Sequence, residues 1–147
     1  TLHTNTAIGA ITRLRDMGVE PFLLSSSMEG ILAQRLVRTL CKHCKQPYEA
    51  SEKEKLSLDL DPSQPVTLHK RKGCPECNDL GYRGRTGIYE LVAIDNTLRT
   101  MIYDGASEQI IEKHVRKTRP SLFANGVQRV LNGDTSIEEL LRVTQDK

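Results

Sequence analysis

The sequence predicts an α/β protein that carries a four-cysteine insertion and ends in a helical subdomain. Three observations carry this. Residues 31–40 alternate along the chain, and Ile88 to Ile94 also reads as a strand. Two Cys-x-x-Cys pairs stand between those segments. Beyond Asp95, capping residues and glycines recur at helix-length intervals. Only six of the 147 residues are aromatic, so the core must be mostly Leu, Ile and Val.

The elements follow in order. Ile8, Ile11 and Leu14 recur at helical spacing over residues 6–17, with Thr6 as N-cap and Gly18 as the stop. Pro21 opens a second helix to about Met28, because proline is favoured at the first helical position. After Gly30, residues 31–40 set Leu32, Gln34, Leu36 and Arg38 against Ile31, Ala33, Arg35 and Val37. That alternation reads as a strand, with helix as its rival. Residues 46–70 carry Glu49, Glu52, Glu54, Asp59 and Asp61 among Pro47, Pro62 and Pro65. They read as an exposed excursion with too little apolar surface to hold itself, fixed by a metal. Leu80 to Gly87 reads as a glycine and arginine turn, and Ile88 to Ile94 as a strand pairing antiparallel with residues 31–40. Asp95 caps a helix to Tyr103 and Ser107 caps one to Lys117. Pro120 or Ser121 starts a third helix through Val130, and Thr135 to Glu138 forms a capping box for the last. The division is 1–40, a cysteine-bearing 41–80, a returning strand over 81–94, and helices over 95–147.

Charge and hydropathy exclude several classes. Lys plus Arg is 21 and Asp plus Glu is 19. That balance does not suit a nucleic-acid binder, which calls for a clearly basic surface. No apolar run approaches the roughly 20 residues of a bilayer-spanning helix. No charged segment followed by an apolar one marks a secretory leader. The chain opens at Thr1 and reads as a piece of something longer.

The cysteines fall as Cys41-Lys-His-Cys44 and Cys74-Pro-Glu-Cys77. A two-residue spacer lets one tight turn present two sulfurs to one ion, and two such pairs fill a tetrahedral zinc site. The 29 intervening residues add little closure entropy. Lys42, Lys45 and Lys72 offset part of the charge of four thiolates. Disulfides would need an oxidising compartment, and a thioredoxin-like site needs one pair, not two. The expectation is a closed, structural Zn2+ site made of Cys41, Cys44, Cys74 and Cys77, with His43 facing solvent.

Elsewhere the chemistry is sparse. No G-x-x-x-x-G-K-[ST], H-E-x-x-H or G-x-S-x-G motif is present. His3, followed by Thr4 and Asn5 before a helix, could orient a water or sense a phosphate; an exposed His beside a Thr cap is the plainer reading. Arg83 and Arg85 could grip a phosphate, or could simply be solvated.

Three blocks together resemble one family. Leu2-His3-Thr4-Asn5-Thr6-Ala7, the run Gly9 to Phe22, and Leu32 to Arg38 resemble the end of the ATPase core of the type II secretion ATPases (general secretion pathway protein E). Their relatives power type IV pilus assembly. The tetracysteine element and Gly81-Tyr-Arg-Gly-Arg-Thr-Gly-Ile-Tyr-Glu-Leu91 are similar to the same family, and the likeness runs over essentially the whole chain. The resemblance implies the end of a RecA-like core, the zinc-binding insertion and a C-terminal helical subdomain. It implies a cytoplasmic hexameric ATPase that uses ATP and Mg2+ to drive pseudopilus assembly, docked on the bacterial inner membrane through partner proteins. His3 matches the family's His box near the γ-phosphate. Arg85 matches a position near the nucleotide or the neighbouring subunit. The phosphate-binding loop and the Walker B carboxylate would lie upstream of Thr1, so these residues alone should be inactive.

The alternative is a zinc-dependent protein- or nucleic-acid-binding module that uses Lys70, Arg71 and Lys72 with Arg83 and Arg85. The absence of interleaved aromatics argues against its nucleic-acid form. A third possibility, compatible with the first, makes the acidic excursion around Glu52 and Glu54 a docking edge for a membrane partner.

Overall fold

A computed structural model describes residues 4 and 6–144; His3 lies outside the described residues. The chain runs through α1 (Gly9–Asp16), α2 (Pro21–Ser27), β1 (Gly30–Leu40), β2 (Gln46–Glu49), α3 (Glu52–Ser57) and β3 (Thr67–Lys70). After a 3-10 turn at Pro75–Cys77 come β4 (Tyr82–Ala93), α4 (Asn96–Tyr103), α5 (Glu108–Val115), α6 (Leu122–Leu131) and α7 (Ile137–Thr144). The fold is mixed α/β. Among the described residues no helix is long and apolar enough to cross a membrane.

The strand over 31–40 is observed, and helix, its rival, is not. β1 and β4 pair. The Ile94 N–H donates to the Glu29 carbonyl at 3.0 Å, and the Cys41 N–H donates to the Gly81 carbonyl at 3.0 Å. Early residues of one strand therefore meet late residues of the other, so the pair is antiparallel. β4 begins at Tyr82, within the returning stretch 81–94 but inside the segment that reads as a glycine and arginine turn. Gly84 lies inside it at φ +80°, a value that glycine adopts without a Cβ clash. A left-handed residue within a strand kinks it, which is why this stretch reads as a turn.

Two compact units form. The first takes the described residues of Thr1–Gln34 with Tyr89–Leu122. Its core is apolar: Ile8, Ile11, Leu24, Val92, Leu98, Ile102 and Ile111 pack together, all buried. The N-cap of α1 is Ile8, which makes no side-chain cap bond, and not Thr6; Thr6 Oγ1 still accepts from the Gly9 N–H at 2.9 Å in the turn that leads into the helix. Asp95 caps α4, accepting from the Leu98 N–H at 2.7 Å. Ser107 stands at the N-cap of α5 but makes no side-chain cap bond. Arg99 bridges to the Ser25 carbonyl at 2.6 Å and to Glu29 at 2.9 Å, tying α4 to α2.

The second unit takes Arg35–Ile88 with the described residues of Phe123–Lys147. It contains the excursion, which is better built than its composition suggests. β2 and β3 pair antiparallel, from Gln46 opposite Lys70 to Glu49 opposite Thr67. Ser51 and Glu54 cap α3 reciprocally. Ala50, Leu58 and Leu68 are buried beneath. Four-residue strands are too short for alternation to stand out, which hid them in the sequence.

The last helix also differs in detail. The cap is Ser136, whose Oγ accepts from the Glu139 N–H at 3.3 Å, one residue later than the expected box. The Thr135 hydroxyl instead donates to the Arg38 carbonyl at 2.8 Å. The Glu139 side chain is fully buried between two arginines. Arg38 Nη2 lies 2.8 Å from its carboxylate and Arg142 Nη2 lies 2.6 Å away. Arg38 also stacks on the Tyr82 ring at 4.3 Å, and the Tyr82 hydroxyl meets Ser136 Oγ at 2.6 Å.

Candidate metal centre

The first cysteine pair is placed by the end of β1. Cys41 follows Leu40 directly, and the chain turns back at once. The N–H groups of Cys44 and Lys45 donate to the Cys41 carbonyl at 3.3 and 3.0 Å. The second pair brackets the 3-10 turn, where the N–H groups of Cys77 and Asp79 donate to the Cys74 carbonyl at 3.1 and 3.0 Å. Gly73 enters this turn at φ +113°, and a Cβ there would lie 2.8 Å from the Asp79 carbonyl oxygen. The turn therefore requires glycine.

These two turns bring all four sulfurs within 4.8 Å of one another. Cys41 and Cys74 lie 3.8 Å apart, as do Cys44 and Cys77, and Cys74 and Cys77 lie 3.7 Å apart. A disulfide needs about 2.05 Å. Four sulfurs at about 2.3 Å from a central ion span tetrahedral edges of about 3.8 Å. The spacing thus fits a tetrahedral metal site and not a pair of disulfides, and all four thiols are free.

The surroundings supply charge stabilisation. The Gly73 N–H donates to Cys44 Sγ at 3.3 Å. Cys77 Sγ accepts from Cys74 N–H at 3.3 Å and from Gly81 N–H at 3.2 Å. Burial pushes the Cys77 thiol up, but these donors overcome it and bring the thiol down to about 7. Cys74 moves the other way. Burial and the thiols of Cys77, Cys44 and Cys41 push it to about 12. A cluster of four adjacent thiols cannot ionise fully alone, and a divalent cation is the partner that lets it.

His43 is exposed at the first knuckle and Lys42 beside it is exposed. The Lys45 ammonium donates to the Gly133 carbonyl at 2.7 Å. Arg83 pairs with Glu76 at 3.3 Å with both side chains largely in water. Arg85 is exposed on β4. Cys41, Cys44, Cys74 and Cys77 are brought together; Arg85 is not among them.

Besides Glu139, the buried carboxylate of Glu90 is not marked by any motif in the sequence. Glu90 on β4 is fully buried, 2.5 Å from Arg116 Nη2, and accepts from the Ala7 N–H at 3.5 Å. A signal for it existed. Glu90 shares its face of β4 with the buried Ile88 and Val92, so the alternation itself points the carboxylate inward.

Comparison with known proteins follows the same lines. Residues 1–142 match the family described as "Type II/IV secretion system protein". The chain belongs to that family. It is 56% identical over 146 residues to the type II secretion system ATPase E of Vibrio cholerae, covering 99% of this chain. It is 58% identical over 147 residues to the type II secretion system protein E of Pseudomonas aeruginosa, covering 100% of this chain. It is 53% identical over 146 residues to the type II secretion system protein E of Aeromonas hydrophila, covering 99% of this chain. The chain spans 29% of the length of each of these relatives. This type II/IV secretion family member thus covers under a third of each relative's chain.

Proposed function

We propose that this chain is part of an ATPase that drives type II protein secretion, and that its tetracysteine cluster holds a structural zinc ion. The observation that carries the reading is 56% identity, over 99% of the chain, to a relative named type II secretion system ATPase E. The sulfur spacing and the N–H donors to Cys44 and Cys77 support the zinc assignment. A zinc ion supplies metal–sulfur bonds that tie the end of β1 to the turn before β4. With four protein ligands it offers no open position for catalysis.

In the whole protein, ATP with Mg2+ is the substrate and hydrolysis drives pseudopilus assembly. The working form is a hexamer held at the inner membrane by partner proteins. His3 acts near the γ-phosphate, and Arg85 acts at the nucleotide or the neighbouring subunit. The His3-Thr4 pattern and the exposed guanidinium of Arg85 support these roles. These 147 residues alone do not hydrolyse ATP, since they hold no G-x-x-x-x-G-K-[ST] loop. The test is steady-state hydrolysis by the whole protein with and without His3→Ala. A fall on the order of 100-fold with the fold intact supports the reading. A whole protein that hydrolyses nothing under any lipid or partner condition overturns it.

A further inference from the structure

We propose that Cys74 is the sulfur through which the tetracysteine cluster reacts with soft electrophiles, a thiol-modification site within the metal centre. The proposal rests on the zinc reading above. Four sulfurs around one ion are alike by connectivity, so their surroundings decide which reacts. A metal-bound sulfur keeps lone pairs that can attack an electrophile. An N–H donor to such a lone pair draws electron density away, and burial blocks approach.

The four cysteines differ on both counts. Cys44 accepts the Gly73 N–H at 3.3 Å and is buried. Cys77 accepts two N–H donors, from Cys74 and Gly81, and is buried. Cys41 is 1% exposed, which shields it from any reagent in solution. Cys74 is the one cysteine of the four that is not buried.

The step balances with a maleimide. The Cys74 Sγ lone pair adds to the carbon–carbon double bond and forms an S–C bond. The π pair becomes an enolate that takes a proton from water. The neutral thioether is a far poorer ligand than a thiolate, so the cluster opens at Cys74.

The experiment uses the whole protein. Native mass spectrometry first counts zinc per chain. A limiting pulse of N-ethylmaleimide follows, then quenching, unfolding and digestion. Fragment ions separate Cys74 from Cys77 within their shared peptide. The expected result is one zinc per chain and alkylation of Cys74 on the order of tenfold faster than any other cysteine. A zinc-loaded chain in which Cys41, Cys44 or Cys77 reacts first, or in which all four react together, overturns the proposal and leaves the zinc reading standing. A chain without zinc overturns the zinc reading and the proposal with it.

Discussion

The two units of this chain differ in how many directional contacts their interiors carry. The first unit is closed by apolar packing, with Ile8, Ile11, Leu98, Ile102 and Ile111 buried against one another and a buried ion pair, Glu90 with Arg116, beside them. The second buries Leu40, Leu58, Leu68, Val130 and Leu140 and adds more directional contacts: a four-sulfur cluster, a carboxylate between two arginines, and a tyrosine hydroxyl on a serine. Apolar packing degrades gradually, because each lost contact is small. Directional contacts fail abruptly, because a buried polar group that loses its partner carries the full desolvation cost. The second unit should therefore be the one that a single chemical change can open.

Removing the metal tests this most severely. Chelation of the zinc-loaded protein is expected to leave four crowded thiols and to release the two turns that present them. Hydrogen exchange at the amides of Gly73, Cys74 and Gly81, which donate to sulfur, should accelerate on the order of 100-fold or more. The amides of Ile94, Arg99 and Ala106, bonded within the first unit, should keep their protection. Equal loss of protection in both sets would show that the units do not differ in this way.

Glu139 gives the next largest effect. Its carboxylate is fully buried, while Arg38 and Arg142 remain about half exposed. Glu139→Gln keeps the shape and removes the charge. Because both arginines can rehydrate, the expected cost is about 2–3 kcal/mol, at or below the low end for breaking a buried pair. Burial would raise the Glu139 carboxyl, but donors from Arg142 and Arg38 overcome it and hold it at about 2. A carboxyl depressed on folding adds stability that is full above its unfolded value of about 4.5 and is lost as pH falls through about 2. Urea unfolding of the two proteins should therefore differ most at neutral pH and converge as pH falls from 4.5 towards 2. A gap that holds constant across that range would mean that Glu139 contributes shape and not charge.

Legibility in the sequence followed the reach of each contact. The helix starts of the first unit were readable because their signals are local. Asp95 lies three residues from the Leu98 amide it caps, and Pro21 marks the start of its own helix. The cysteine pairs were readable because their spacing is itself the geometry of a metal knuckle. The Arg38–Glu139 contact was not readable, since its partners lie 101 residues apart and nothing local marks them as a pair. The same contact bears on the misplaced capping box. Glu138 fits the pattern as well as Glu139 does, and the buried carboxylate is the one that meets Arg38, 101 residues away, as well as its helix neighbour Arg142.

The smallest expected effect separates a cap by position from a cap by contact. Asp95 and Ser107 both stand at N-caps in the first unit, with extended backbones at φ −81° and −68°. Asp95 accepts from the Leu98 N–H at 2.7 Å and lies 3.4 Å from His114 Nε2. Ser107 makes no such side-chain bond. Asp95→Ala should therefore cost about 1 kcal/mol in denaturant unfolding, the usual worth of a working cap. Ser107→Ala leaves no donor newly unpaired, so its cost should stay within a few tenths of a kcal/mol. Equal losses would mean that the extended backbone at the cap, common to both residues, fixes these helix starts and the side-chain bond adds nothing. A loss confined to Asp95 would locate the stabilisation in its side-chain contacts with Leu98 and His114, and would show that the first unit relies on directional contacts where a helix begins.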